Sequence, residues 1–148
     1  MNTVIEKIMA LPTMTPAAID RVQQLENEIL KAPQSELVTE HAFHAGLYAR
    51  TIMLPAGDVM TGVTIKIPTL VIVDGDVAVN AGEHTIRLRG RHVLPAGAGR
   101  KQAFLAFEDT HITMLFATNA TTVEDAENEF TDEADRLMSR RSKTGDQA

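Results

Sequence analysis

The stretch that decides the fold is LVIVDGDVAVNAGEHTIRL, residues 70–88. Short runs of Val, Ile and Leu are interrupted in it by Asp-Gly-Asp at 74–76 and by Asn-Ala-Gly-Glu at 80–83. β-Branched residues favour strands, and Gly and Asn supply the positive φ angles that tight hairpin turns need. The stretch therefore predicts three short strands joined by two turns. These strands are Leu70–Val73, Val77–Val79 and His84–Leu88.

The same pattern extends in both directions, from His41 to Thr118. Short strands at regular spacing, separated by Gly, Pro, Asn and Asp, are typical of β-sandwiches and barrels. Eight such strands with hairpin turns indicate a closed or nearly closed antiparallel barrel. The other turns are Pro55-Ala56-Gly57-Asp58, Gly90 and Pro95-Ala96-Gly97-Ala98-Gly99. The other strands are Leu47–Leu54, Val63–Ile67, His92–Leu94, Gln102–Phe107 and Ile112–Phe116.

Both ends of the chain have helical patterns. Residues 2–31 read as helix with a break at residues 11–14, and Thr15 followed by Pro16 is typical of a helix N-terminus. We expect its apolar stripe to dock on the barrel or to pair with a helix of another subunit. Pro33 ends this segment, and residues 34–40 form a polar connector. Residues 121–141 have an acidic first turn and a basic last turn, which suits a helix dipole. Their apolar face consists of Val123, Ala126, Phe130, Ala134, Leu137 and Met138.

Length and composition limit the organisation and the location. A chain of 148 residues suits one domain, divided into a helical segment 1–40, a barrel 41–119, a helix 120–141 and a frayed tail 142–148. The absence of Cys excludes disulfides and thiolate metal sites. No long apolar run predicts a membrane span or a secretory signal, so we expect a cytoplasmic protein. The net charge of −6 argues against nucleic acid as a partner.

The order of the turns resembles that of the cupin superfamily. Leu54-Pro55-Ala56-Gly57, Asp74-Gly75-Asp76 and residues 90–97 (GRHVLPAG) follow the cupin series of a Pro-Ala-Gly turn, a hairpin Gly and a late Pro-x-Gly turn. The resemblance implies a mainly β, cupin-type jelly-roll barrel with helices at both ends. Cupins bind a metal through two His, a Glu and a later His. Those positions fall here on Val63, Ile65, Pro68 or Thr69, and about Arg100, so the resemblance implies a barrel without a metal cofactor.

A narrower resemblance, over about residues 19–130, is to small uncharacterised cupin-like proteins of tailed bacteriophages. Members of that set commonly have His-x-His-Lys where this chain has Val63-Thr64-Ile65-Lys66. The resemblance implies a phage origin more than an activity. It also implies that the cytoplasm is that of a bacterial host, with association with a virion as the alternative. It is carried by Pro33-Gln34, His41, Phe43, Gly46-Leu47-Tyr48-Ala49-Arg50, Pro55-Ala56-Gly57, Gly62, Lys66, Arg100 and Glu108-Asp109-Thr110.

Four residues form the candidate ligand site. Tyr48 and Arg50 share one face of the strand Leu47–Leu54. If that face points into the barrel, they join Lys66 and Arg100 in a mostly apolar cavity that suits a carboxylate or a phosphate. In the alternative interpretation Arg50 pairs with Glu108 or Asp109, while Lys66 and Arg100 are solvated.

The histidines and a row of arginines are weaker candidates. His41 and His44 are possible accessory residues of the site, but they lie three apart and would point to opposite faces of a strand. His84, His92 and His111 are expected on separate strands, at the surface or packed. Arg87, Arg89 and Arg91 form a basic ribbon, predicted to be a solvated face or to meet an acidic surface, and the acidic run 124–135 is one such surface.

The first functional hypothesis is a non-enzymatic, metal-free, phage-type cupin-like protein that acts by binding, as a homodimer or a higher oligomer. It is either an accessory or structural protein that binds a phage or host protein, or a binder of a small anionic ligand such as a nucleotide. The alternative is a metal-free isomerase or epimerase acting on a sugar or sugar nucleotide, with His44 and Tyr48 as the acid–base pair.

Overall fold

A computed structural model describes residues 9–137 and residue 140. Strand is the commonest regular structure in this part of the chain, with a helix before the strands and another after them. The predicted mainly β architecture with helical segments at both ends is confirmed. In chain order the elements are helix α1 (Pro16–Ile29), strands β1 (Thr39–His44), β2 (Leu47–Leu54), β3 (Val59–Thr61), β4 (Thr69–Ala81), β5 (His84–Ala96), β6 (Ala103–Ala106) and β7 (Thr110–Ala117), helix α2 (Val123–Phe130) and a 3₁₀ turn (Ala134–Arg136).

The strands form one curled antiparallel sheet in the order β1-β2-β7-β4-β6-β3, with β5 also paired to β4. Strand β4 has two different partners along one edge. Its first half pairs with β7, from Leu70 opposite Leu115 to Asp74 opposite His111. Its second half pairs with β6, from Val77 opposite Ala106 to Val79 opposite Phe104. This change of partner folds the sheet over on itself and encloses the core.

Gly75 is the point at which β4 changes partner. It lies opposite Gly90 of β5, and a Cβ atom on Gly75 would lie only 2.4 Å from Thr110 Oγ1. That oxygen accepts a hydrogen bond from the backbone N–H of Asp76 at 3.1 Å and donates one to the carbonyl of Glu108 at 2.8 Å. Only Gly fits so close to a neighbouring strand.

Several predicted strand boundaries are therefore wrong. Asp74-Gly75-Asp76 and Gly90 are not turns but corners within long strands, so four predicted strands merge into β4 and β5. Residues 63–67 make only an isolated bridge, between Ile65 and Arg100, and the strand before them is the short β3. Strand β1 lies partly in the segment predicted as a polar connector. Most residues of β1 are exposed, so its sequence does not show the alternation of apolar and polar residues that marks a half-buried strand.

The N-terminal helix begins as predicted. Thr15 caps it, because its hydroxyl accepts a hydrogen bond from the Ala18 N–H at 3.1 Å. The helix docks on the barrel through buried Ala18 and Val22. A buried ion pair adds to this contact, since Glu26 lies 3.3 Å from Lys101 Nζ.

The C-terminal helix is shorter than predicted, because it ends at Phe130 and not near Arg141. Thr131 is extended, and its hydroxyl donates a hydrogen bond to the Thr64 carbonyl at 2.7 Å. The Phe130 carbonyl accepts one from the Lys66 N–H at 2.9 Å. Contact with residues 64–66 thus replaces the next helical turn. The helical pattern before Met9, Met138 of the predicted apolar face and the predicted tail lie outside the described residues.

None of the described helices is both long enough and apolar enough to cross a membrane.

The corner at Gly75 gives the first prediction. We expect Gly75→Ala to lower the free energy of unfolding by about 1–3 kcal/mol through overpacking against Thr110. Gly90→Ala is the control, since a Cβ atom there meets nothing within 4 Å and only the positive φ of 82° is strained. Urea denaturation of both variants measures the difference. Equal losses at the two positions would contradict a steric role for Gly75.

Candidate anion-binding cavity

The barrel contains a cavity of about 150 Å³. Its wall combines residues from β2, β4, β6 and β7 with residues that follow α2. Most of the wall is aliphatic or aromatic, which lowers the local dielectric and strengthens any charge interaction inside it. The apolar lining residues are Leu37, Ile52, Met60, Val63, Ile65, Val71, Phe104, Ile112, Met114, Phe130 and Leu137.

Arg100 lines this cavity and is only 1% exposed. Its guanidinium donates hydrogen bonds to Thr69 Oγ1 at 2.7 Å and to the Gly97 carbonyl at 2.8 Å. Both acceptors are neutral, and Arg100 forms no ion pair with any described residue. Its Nε atom is buried without a hydrogen-bond partner. Burial lowers the pKa of Arg100 to about 10, so the group is still a cation at neutral pH.

Arg50 also lines the cavity, but it has a counter-ion. It is 8% exposed, and its guanidinium donates to Glu127 Oε2 of α2 at 2.9 Å. The same guanidinium lies 5.6 Å from the centre of the Phe130 ring. Glu127 in turn accepts a hydrogen bond from Arg140 Nε at 3.1 Å. The predicted pairing of Arg50 with Glu108 or Asp109 is wrong, because α2 supplies the carboxylate.

Tyr48 lies on the same inward face of β2 but is packed behind the cavity wall. It is fully buried, and its hydroxyl is 2.7 Å from His41 Nδ1 and 3.5 Å from a guanidinium nitrogen of Arg50. Burial raises the pKa of Tyr48. His44 is exposed at the end of β1, so the structure pairs Tyr48 with His41 and does not form the predicted acid–base pair of His44 and Tyr48.

Lys66 lies outside the cavity. Its side chain is 42% exposed and its Nζ atom is 2.6 Å from Asp132. Of the four candidate residues, the structure therefore brings Arg50 and Arg100 to the cavity, places Tyr48 behind Arg50 and leaves Lys66 at the surface. In the alternative interpretation both Arg100 and Lys66 are solvated. The structure shows that this is wrong for Arg100 and correct for Lys66.

Sequence reasoning missed Gln102. This residue lines the cavity and is 7% exposed, and its Nε2 atom donates to the Asn80 carbonyl at 2.6 Å. Its Oε1 atom is buried and has no hydrogen-bond partner. Gln102 alternates with the buried Phe104 and Ala106, and that period of two was the signal that could have placed it inside the barrel.

Two of the three arginines of the ribbon pair with one carboxylate within the chain. Arg87 donates two hydrogen bonds of 2.9 Å to Asp76 of β4, and Arg89 Nε lies 3.8 Å from the same carboxylate. The hydrogen bonds from Arg87 hold the pKa of Asp76 below its usual range. The acidic surface that the ribbon contacts is thus on β4. In the acidic run 124–135, Glu127 pairs with Arg50 and not with the ribbon.

The histidines are spread over three strands. His84 and His92 both lie on β5, so the prediction of separate strands is wrong for them, and His111 lies on β7. Among residues 9–137 and 140, no group of three His, Asp or Glu side chains is placed to hold a metal ion.

Comparison with solved structures gives the fold a name. KdgF from Halomonas sp. superposes with a TM-score of 0.50 at 17% identity, over 64% of this chain and 89% of that one. A cupin superfamily protein from Desulfitobacterium hafniense gives 0.47 at 14% identity, over 77% and 100%. The cupin domain of an XRE family transcriptional regulator from Enterobacter cloacae gives 0.48 at 13% identity, over 58% and 100%. With its single curled antiparallel sheet and flanking helices, the chain has a cupin-type jelly-roll fold. No protein family model and no curated protein sequence matches it.

The described residues at the positions of the cupin metal ligands do not fit a metal ion. Val63 and Ile65, at the positions that the sequence resemblance assigns to the paired histidines, line the cavity with aliphatic side chains. The position of the later histidine is occupied by the cationic Arg100, which repels a metal ion. Metal sites need several N, O or S ligands that converge on one point, and these three side chains offer none.

The ion pair of Arg50 with Glu127 gives the second prediction. Arg50→Met removes one of the two described cationic partners of the buried Glu127 carboxylate, the other being Arg140, so we expect the free energy of unfolding to fall by about 2–4 kcal/mol. In the double variant Arg50→Met/Glu127→Gln the loss should be smaller than the sum of the single losses, as measured by a double-mutant cycle in urea.

Lys66→Met is the matched control for this cycle. It breaks the exposed pair with Asp132 and should have little effect on stability. Strict additivity of Arg50→Met and Glu127→Gln would show that the two charges are not coupled.

Proposed function

We propose that this protein binds a small anion in the cavity of its barrel and that Arg100 recognises the negative charge. The observation that carries the proposal is a guanidinium that is 1% exposed and makes only neutral contacts within the described chain. A buried cation without a counter-ion is costly. A carboxylate or phosphate in the cavity would supply the missing charge in a medium of low dielectric.

Arg100, and not Arg50, is the group assigned to this role. Arg50 already has Glu127 at 2.9 Å, so a ligand would have to compete with a carboxylate that is itself buried. Arg50 contributes the wall beside the ligand and a positive potential that is largely compensated.

The cavity limits the size of the ligand. Pockets for drug-sized ligands typically have volumes of about 300–1,000 Å³. The volume here is about 150 Å³, which is small for a nucleotide, the anionic ligand that the sequence suggested as an example. We therefore propose a small organic anion.

Binding without catalysis is supported by the chemistry of the wall. Of the described residues that line the cavity, none is His or Tyr, and the one carboxylate is Glu26. Glu26 is occupied by Lys101 at 3.3 Å and by the Thr61 hydroxyl at 2.8 Å. The isomerase alternative needs an acid–base pair inside the cavity. The two residues nominated for it, His44 and Tyr48, do not line the wall, so we favour a binding protein.

A phage origin and a homo-oligomeric state remain part of the proposal. The origin rests on the sequence resemblance given above. An oligomer is supported by the outer face of the sheet, where Val59 of β3 and Leu105 of β6 lie side by side and are both exposed. Neighbouring apolar side chains on a surface are typical of contacts between subunits.

The role of Arg100 gives the third prediction. In a thermal-shift assay at constant ionic strength, isovalerate, benzoate or inorganic phosphate should raise the melting temperature of the wild type, and Arg100→Met should abolish the shift. Without an anion Arg100→Met should melt at about the temperature of the wild type, because the loss of the hydrogen bonds to Thr69 and Gly97 opposes the gain from removing a buried charge.

Arg91→Met, an exposed position on β5, is the control and should keep the anion effect. A shift that persists in Arg100→Met, or the lack of any anion effect in the wild type, would refute the proposed site. A much lower melting temperature of anion-free Arg100→Met would instead assign Arg100 a structural role.

The oligomer gives the fourth prediction. Light scattering of the purified protein should report a mass that is a multiple of 16.1 kDa, and Leu105→Glu should reduce it by placing a charge on the proposed contact. A wild-type protein that is monomeric at all concentrations would refute this part of the proposal.

A further inference from the structure

One half of the sheet has an apolar outer surface. This half consists of β1, β2, β7, the first part of β4 and the last part of β5. Alternate residues of these strands, such as Tyr48 and Val71, are buried inside the barrel, so the residues between them point outward. Register partners share a face and form cross-strand rows. Three adjacent rows, here called the apolar face, are Ala42, Ala49, Leu115, Leu70 and Pro95, then Glu40, Thr51, Thr113, Ile72 and Val93, and the shorter row of His44, Leu47 and Ala117.

The apolar face is open to solvent in the part of the chain that the structure describes. Val93 is 51% exposed and Leu47 is 42% exposed. The two polar side chains near its centre, Thr51 and Thr113, form a hydrogen bond with each other at 2.8 Å. Its ionisable side chains, Glu40 and His44, lie at one edge on β1. A surface with an apolar centre and a polar rim has the anatomy of a protein interface.

The other halves of β4 and β5 show that an apolar outer face is not a general property of this sheet. Beyond the corner at Gly75, the outward residues of the same two strands include Asp76, Arg87 and Arg89. The side of an antiparallel sheet that faces water is normally polar, as it is there. The apolar half is therefore the exception, and contiguous exposed apolar surface marks an interaction site.

The two edges of the apolar face have opposite charges. Glu40 is exposed on β1 at one edge, and Arg91 is exposed on β5 just beyond Val93 at the other edge. Neither forms an ion pair with a described residue, although Arg91 is the register partner of Asp74. A surface with an acidic edge and a basic edge is complementary to a second copy of itself.

A two-fold axis parallel to the strands and over β7 satisfies both the charges and the apolar rows. It places β1 of one subunit over β5 of the other, and β7 over its own copy. Glu40 then lies over Val93 of the partner subunit, about 7 Å along the strand from Arg91 of the partner subunit, which an arginine side chain can span. The same pair occurs a second time by symmetry, and Leu115 lies near the axis.

The extent of the apolar face suits such a contact. Five strands about 4.8 Å apart and three rows about 7 Å apart cover on the order of 500 Å². A stable interface buries about 800 Å² on each partner, of which the centre is apolar and the rim polar. The apolar face thus supplies the centre, and the charged edges supply the rim.

We infer that the apolar face binds the apolar face of a second copy of this chain in a two-fold symmetric contact. This contact lies on a different half of the sheet from the one proposed at Val59 and Leu105. It is also independent of anion binding, because Arg100 takes no part in it.

Sedimentation equilibrium of Leu105→Glu variants tests the inference, since that substitution removes the other proposed contact. Leu105→Glu should be a dimer of twice 16.1 kDa, and adding Leu115→Glu should give a monomer, because two carboxylates meet near the axis. In the same Leu105→Glu protein, Glu40→Arg alone and Arg91→Glu alone should each weaken dimerisation about tenfold or more, and the two together should restore it. Lys31→Glu, an exposed charge reversal on the loop after α1, is the control and should have no effect.

The outcomes separate this inference from the other proposals. A monomeric Leu105→Glu protein overturns the inference and leaves the contact at Val59 and Leu105 in place, whereas a wild-type monomer overturns both. A mass unchanged by Leu115→Glu, even with a lower melting temperature, also overturns it, because the face would then be covered by other residues of the same chain or by nothing. If Leu115→Glu does not fold, the exposed reversals at Glu40 and Arg91 decide, and failure of the double reversal to restore the dimer overturns the two-fold contact.

Discussion

The barrel depends on the close approach of Gly75 to Thr110. A side chain on Gly75 would collide with Thr110, so the bend in β4 requires a residue without Cβ. Because β4 bends there, its two halves pair with different strands and the sheet closes over its own inner face. Val71 before the bend and Phe104 opposite the second half then line one cavity. A steric constraint at one residue thus creates the space in which the charges are arranged.

Three buried cations of the described residues lie around this core, and helices supply counter-ions to two of them. Glu26 of α1 pairs with Lys101, and Glu127 of α2 pairs with Arg50. Each pair ties a helix to the barrel, so the helices contribute charge compensation as well as apolar cover. Arg100 has no such partner among the described residues. This difference is the reason for proposing Arg100 as the recognition group, and neither its residue type nor its burial alone would support that proposal.

Local sequence patterns predicted the features that depend only on neighbouring residues, such as the faces of a strand and the start of a helix. The period of two in β2 placed Tyr48 and Arg50 on one face, and the Thr15 cap located the start of α1. Gly75 was read as a turn because glycine serves hairpins and mid-strand corners equally well, and only Thr110 decides between them. The sequence also could not identify the partner of Arg50, because Glu127 is 77 positions away. The acidic run that contains Glu127 was an equally suitable partner for the arginine ribbon.

The cavity wall is contributed by distant parts of the chain, and this has a consequence for biosynthesis. Glu26 lies near the start of the described chain, whereas Phe130 and Leu137 lie near its end. During translation, the complete wall can form only after residue 137 has emerged from the ribosome exit tunnel. A ligand therefore cannot act as a template for the nascent polypeptide before that point, and it meets its full set of contacts only once residue 137 has left the tunnel.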